Sequence, residues 1–227
     1  MPQPSDLSLI VRHLGCCQYL EIFEAMKLFT LKRQKNTPDE IWLLEHFPVF
    51  TQGQAGNKEH LFSPGDIPVV QSDRGGHVTY HAPGQITGYL LIDLQRLGIG
   101  VRDIVTLIER SVIETLAHWD IRATTHNKTP GVFVGDATQS LTGVKKISSL
   151  GLRVRRGCSY HGFNLNVDMD LQPWSRINPC GLNIEMTQMF DIAEGKPLLI
   201  DISNYIANIL AEKLGYNKYK TETTLGR

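Results

Sequence analysis

Residues 74–93 read RGGHVTYHAPGQITGYLLID, and this run restricts the local fold more than any other part of the chain. Alternation through His77, Val78, Thr79, Tyr80 and His81 is the period-two pattern of a strand. Ala82-Pro83-Gly84 forces a turn, and a second apolar run, read as a strand over 86–94, follows. Gly75 and Gly76 can take unusual dihedrals and let a ligand approach bare main chain. A hairpin whose Gly and Pro serve only the turn accounts for the same letters.

The surrounding pattern is mixed. Helical spacing predicts a helix over 16–34, a clearly amphipathic one over 101–118 (Val101, Ile104, Val105, Ile108, Val112, Leu116), and a third over 201–214 that Gly215 is placed to end. Strands are expected at 40–46, 67–71, 130–134, 147–155 and 163–167. No repeat, low-complexity segment or long linker interrupts them, so 1–227 is expected to form a single α+β domain. Its core spans about 40–215, and the polar tail 217–227 is expected to be mobile. The 23 basic and 23 acidic residues cancel, which argues against nucleic acid or an anionic membrane as partner. The apolar runs are too short to span a bilayer, and the first residues lack the form of a signal peptide; a cytoplasmic location is the simplest expectation.

Four cysteines occur without a CxxC pair, so zinc-ribbon and thioredoxin-like sites are not expected. Cys16 and Cys17 read as small buried apolar residues. Cys158 stands near Arg155, Arg156 and His161, and cations lower a thiol pKa. On a strand, however, sequence neighbours point to opposite faces. Cys180, in N-P-C-G, lies on a tight irregular loop of the kind that carries reactive groups, which favours it without removing Cys158. Bringing a thiol from about 8.5 to about 7 takes about 2 kcal/mol, within reach of one ammonium in a partly desolvated site. Lys145 and Lys146 are the candidates, and on a strand only one of them can face the site. No G-x-S-x-G elbow, Walker A or HExxH motif is present. His77 and His81 would share a strand face, but two ligands are too few for a metal site. His161 is expected to line a pocket or make a structural hydrogen bond.

Three blocks in order, RGGHVTYHAPGQITGYLLID, KKISSLGLRVRRGCSYHGFNLNVDMDL (145–171) and INPCG (177–181), resemble the octanoyltransferases of protein lipoylation. These belong to the biotin and lipoate protein ligase superfamily, and LLEHFPVFTQG (43–53) is more weakly similar. The resemblance implies a mixed sheet flanked by helices, like the ligase catalytic domain. It implies Cys180 as the acyl-accepting nucleophile and Lys146, ahead of Ile-x-Ser-x-Gly, as its dyad partner. The acyl pocket would be walled by Arg74, Gly75, Gly76, His77, Val78, Thr79, Tyr80 and His81, by Ser149, Leu150 and Gly151, and by Gly162, Phe163 and Asn164. Asn164 stands where a small apolar residue is expected. The implied reaction moves octanoyl, and lipoyl as well, from acyl carrier protein to a lysine of lipoyl domains, including those of 2-oxoacid dehydrogenase complexes and the glycine cleavage H protein. It needs no cofactor and no ATP, in a protein expected to be a monomer. An ATP-dependent lipoate or biotin ligase, a cysteine thioesterase or amidase, and a non-catalytic acyl-binding module are the alternatives; the Gly-Arg-Gly-Arg type loop of biotin ligases is absent. Arg153 and Arg155, on one strand face, are expected to dock an acidic carrier.

Overall fold

A computed structural model describes residues 8–127, 129–137, 140–179 and 184–226. In chain order the elements begin with β1 (Leu9–Cys17), α1 (Tyr19–Lys32), β2 (Asp39–His46), β3 (Val49–Gln52), β4 (Val69–Gln71), β5 (Val78–His81) and β6 (Gln85–Leu91). They continue with α2 (Leu94–Leu97), α3 (Val101–His118), β7 (Ala123–His126), β8 (Thr129–Val134), β9 (Lys145–Arg155) and β10 (Cys158–Asn166). The last are β11 (Glu185–Met186), α4 (Leu199–Lys213) and β12 (Lys220–Glu222).

Among the described residues one nine-stranded mixed sheet runs β12-β1-β2-β6-β10-β9-β8-β7, with β11 beside β9. A smaller sheet, β4-β3-β5, carries the first strand of the 74–93 unit, while β6 crosses into the large sheet. The α+β architecture with helices on a mixed sheet is as expected.

Helices α3 and α4 cover one face because their apolar residues recur at helical spacing. Ile104, Ile108, Val112 and Leu116 meet Ile202, Ile206 and Leu210 over Leu90, Ile147 and Leu165. On the other face Ile22, Phe23 and Met26 of α1 pack on Trp42, Leu44, Tyr89 and Tyr160. Each such buried side chain contributes roughly 1.5–3 kcal/mol. The start of α3 is set by Asp103, whose Oδ2 accepts the Gly100 N–H at 2.7 Å.

Several expectations change. The helix expected from 16 starts at Tyr19, because the chain ahead of it is strand β1, with Leu9 and Val11 in the core. The core therefore begins near residue 9 rather than 40. Cys16 is exposed and Cys17 half-buried, since β1 is bulged between His13 and Cys16, where Gly15 has φ 66°. The expected strand over 86–94 ends at Leu91 and gives way to α2. The tail is not loose: β12 pairs in parallel with β1. Buried Arg12 donates to Glu40 at 2.7 Å, to Glu222, and to the Thr224 carbonyl at 2.6 Å. Its polar sequence reflects an edge strand held by an ion pair.

A chain ending at Lys218 loses β12 and two acceptors of Arg12. It should be less stable by about 1–3 kcal/mol, read as a lower urea midpoint. An unchanged midpoint would mean that the strand contributes nothing.

Candidate active site

The segment before β5 lies flat across β9. Gly75 N–H donates to the Leu152 carbonyl at 3.0 Å, and Gly53 N–H donates to the His77 carbonyl at 3.1 Å. A Cβ on Gly53 would fall 2.3 Å from the Gly76 carbonyl oxygen, and one on Gly151 would fall 2.7 Å from that of Gly75. Here glycine permits main chain to pack on main chain, and Gly76 itself has φ 83°. Arg74 fastens this loop, its guanidinium donating to the Thr51 carbonyl at 2.6 Å and the Gly75 carbonyl at 3.0 Å.

Between this loop, β9, β8 and α3 opens a cleft of about 450 Å³. Arg74 through Thr79, Ser149, Leu150, Gly151 and Lys146 all line it, as do Val101 and Val105 of α3, Pro130 and Pro179. An apolar wall with a few polar groups at one end suits an acyl chain with a carbonyl. Cys180 and Gly181 lie outside the described residues; Pro179, the preceding residue, faces the same cleft as Lys146.

Lys146 is 2% exposed. Its Nζ donates to the Pro130 carbonyl at 3.2 Å and lies 5.4 Å from the centre of the Phe133 ring. Lys145 points outward to Glu185 at 2.7 Å, as strand alternation requires. Room for the Lys146 stem comes from Gly131, where a Cβ would lie 2.5 Å from Lys146 Cε and 3.0 Å from Nζ. Gly131 has φ 142° and precedes the register shift of β8 between Val132 and Phe133.

A smaller pocket of about 40 Å³ adjoins, lined by Thr79, His81, Gly162, Phe163 and Asn164 from the expected set, together with Tyr19, Thr87, Tyr89 and His161. Asn164 is a bracket between walls: its Oδ1 accepts the Ser149 N–H at 2.8 Å and its Nδ2 donates to Thr79 Oγ1 at 3.5 Å. Tyr80 turns the other way, into the core of the small sheet, 5.2 Å from the Phe50 ring and 5.9 Å from Trp174. The expectation that every residue from Arg74 to His81 walls the pocket therefore fails at Tyr80, for the reason of strand alternation. Nor do His77 and His81 share a face. His77 precedes the strand and packs on His60 at 5.5 Å, whereas His81 is buried with Nδ1 2.7 Å from Gln85 Oε1.

The floor is polar but neutral at its imidazoles. Gln85 Nε2 donates to the Tyr80 carbonyl and Asn166 Oδ1, so its Oε1 must accept from His81 Nδ1–H. Burial, with His46 and Arg74 nearby, pushes His81 well below the ordinary imidazole range. Burial also lowers His161, against a raising contact with Asp73 at 2.8 Å. Asp73 falls to about 2, because hydrogen bonds from His161 and Tyr160 outweigh its own burial. Ser149 Oγ, His77 Nδ1 and His161 Nδ1 are buried with no hydrogen-bond partner among the described residues, in residues that line the two pockets. Cys158 is elsewhere. It is buried at the start of β10, near Arg33, Asp93 and Arg96, and burial pushes its thiol up.

Tyr19, Asp73, Tyr89, Glu109 and Gly131 were not legible as site residues. Gly131 carried a signal, a Gly inside a strand pattern, which marks close approach. The others are ordinary core or surface letters until the sheets are assembled.

Gly131→Ala should cut any activity of this cleft at least tenfold while leaving the far-UV circular dichroism intact, because the methyl displaces Lys146. Full activity in that variant would show that the lysine can sit elsewhere.

The family model of the lipoyl protein ligase A/B catalytic domain matches residues 18–211. An octanoyltransferase of Marinomonas sp. (strain MWYL1) is 54% identical over 213 residues, 93% of this chain and 95% of that protein. One from Azotobacter vinelandii (strain DJ / ATCC BAA-1303) is 55% identical over 94% of each. Among solved structures, a bi-partite lipoate protein ligase from Thermoplasma acidophilum superposes with TM-score 0.74 at 13% identity, over 96% of this chain and 88% of that one. At that identity the likeness speaks for the fold alone.

Proposed function

The chain belongs to the lipoyl protein ligase A/B catalytic-domain family and is an acyltransferase that moves octanoyl groups in protein lipoylation, and from that premise we propose that transfer runs through a thioester on Cys180 with Lys146 as its partner. The observation that carries this reading is the shared cleft: the buried Lys146 and Pro179, the residue before Cys180, line one apolar groove.

Two steps follow. The Cys180 thiolate attacks the octanoyl thioester of an acyl carrier protein, the bond to the carrier's sulfur breaks, and Lys146 gives that sulfur its proton. The ε-amine of a lysine on a lipoyl domain then attacks the acyl-enzyme. An amide forms, the Cys180 thiolate is released, and the neutral Lys146 amine takes the proton lost by the attacking nitrogen. Lipoyl groups would follow the same path. The thioester already carries the activation, so no ATP is required. Ser149 Oγ and main-chain N–H groups at the cleft are the candidates to hold the carbonyl oxygen.

The family also contains ligases, but the octanoyltransferases match at 54–55% identity over nearly the whole chain. No helix among the described residues is long and apolar enough to cross a membrane, and work as a monomer in the cytoplasm is part of the proposal. For carrier docking, Arg155 is exposed while Arg153 is drawn to Gln54 at 2.7 Å, which makes Arg155 the more available charge.

Mixing the protein with octanoyl-acyl carrier protein should add one octanoyl mass, mapped to the peptide holding Cys180. Cys180→Ala should lose adduct and transfer, and Cys158→Ala should keep both. An adduct on Cys180→Ala would end the assignment.

Lys146→Ala should slow thiol alkylation at neutral pH and move its profile upward by about one unit or more, whereas Lys145→Ala should not. Superimposable profiles for wild type and Lys146→Ala would remove the dyad.

A further inference from the structure

Glu109 is out of character for its helix. Along α3, Val101 and Val105 border the cleft, and Glu109 follows them at the same four-residue spacing. It is half-buried, while its neighbour Arg110 is exposed. Its Oε1 accepts the N–H of Gly131 at 3.0 Å. Gly131 is the residue whose missing side chain makes room for the Lys146 stem. Burial raises the Glu109 carboxyl, and the Gly131 N–H and the Lys146 charge pull it back, so the acid and the ammonium sense each other.

We propose that Glu109 is a positioning residue for Lys146: it pins the Gly131 main chain beside the lysine stem and supplies a negative charge that favours the ammonium form. This rests on the reading of Lys146 as the thiolate's partner. The chemistry gives the acid a purpose. When Cys180 becomes a thioester, Lys146 has given its proton to the departing sulfur and must take one back in the second step. A carboxylate on α3 that takes no part in either step favours that return of the proton to Lys146.

The charged and titratable groups around Lys146 come from several elements. Arg74 and His77 face it from the loop across the cleft, and Glu109 from α3. Lys145 and Glu185 pair with each other on the outer face. Removing the Glu109 charge must weaken proton binding at Lys146 and ease ionisation of a neighbouring thiol. Both flanks of the pH–rate profile for acylation then move to lower pH, whereas a purely structural defect scales the profile without moving it.

The test is the titration of Lys146 in full-length protein labelled with ε-13C-lysine, the resonance being identified by its loss in Lys146→Arg. In Glu109→Gln, whose amide oxygen still accepts from Gly131, the midpoint should fall by about one pH unit, a tenfold change in proton affinity. Glu114→Gln, on the same helix but bridged to Lys213 at 2.6 Å, should leave it in place. A midpoint unmoved in Glu109→Gln overturns the proposal. The dyad reading stands or falls separately, on the alkylation profile of Lys146→Ala, since the Lys146 titration needs no reaction at Cys180.

Discussion

The contact between Gly75 and Leu152 lays the loop ahead of β5 against β9, and loop and strand together wall the cleft. One 3.0 Å hydrogen bond from Gly75 N–H to the Leu152 carbonyl would be worth about 1 kcal/mol alone. What gives it reach is the stacking around it. Gly53 and Gly151 bring three stretches of main chain, their own and that of Gly75-Gly76, closer than a side chain would allow. Arg74 holds the loop down through the Thr51 and Gly75 carbonyls. The roof of the cleft is therefore backbone, a rigid surface that a flexible acyl chain can lie against without first ordering side chains.

Placing a lysine beneath such a roof is costly unless its charge is answered. Lys146 meets the Pro130 carbonyl and the face of Phe133, and the Glu109 carboxylate acts on it from α3. These groups offset part of the cost of burying the ammonium. The cavity that admits the side chain is made by an absence, the missing Cβ of Gly131.

The floor is built on a different logic. His81 and His161 are buried and kept neutral, and Asp73 is held ionised by two hydrogen bonds, so the polar groups there are hydrogen-bonding partners rather than proton carriers near neutral pH. Cys158 is inert in this scheme. It sits at the other end of β9 and β10 from Lys146, with its thiol pushed up by burial.

Helix α3 was legible to the residue, because Ile104, Ile108, Val112 and Leu116 repeat a period that only a helix satisfies. The turn of the 74–93 unit was legible in Ala-Pro-Gly, but not that its two strands join different sheets; the opposite directions of Lys145 and Lys146 were legible from strand alternation. Strand β1 and the β12 edge were not legible. β1 pairs in parallel with β2 on one side and with β12, some two hundred residues away, on the other, and the Arg12–Glu40–Glu222 cluster joins all three; none of these contacts leaves a local period. Local sequence determined which elements form and which residue types are available for acyl transfer. Only the tertiary structure decided that Tyr80 faces away, that Asn164 braces two walls, that Gly131 makes way for Lys146, and that Glu109 comes within reach of its charge. Those are contacts between distant segments, and a distance between segments is fixed by packing, which no periodicity encodes.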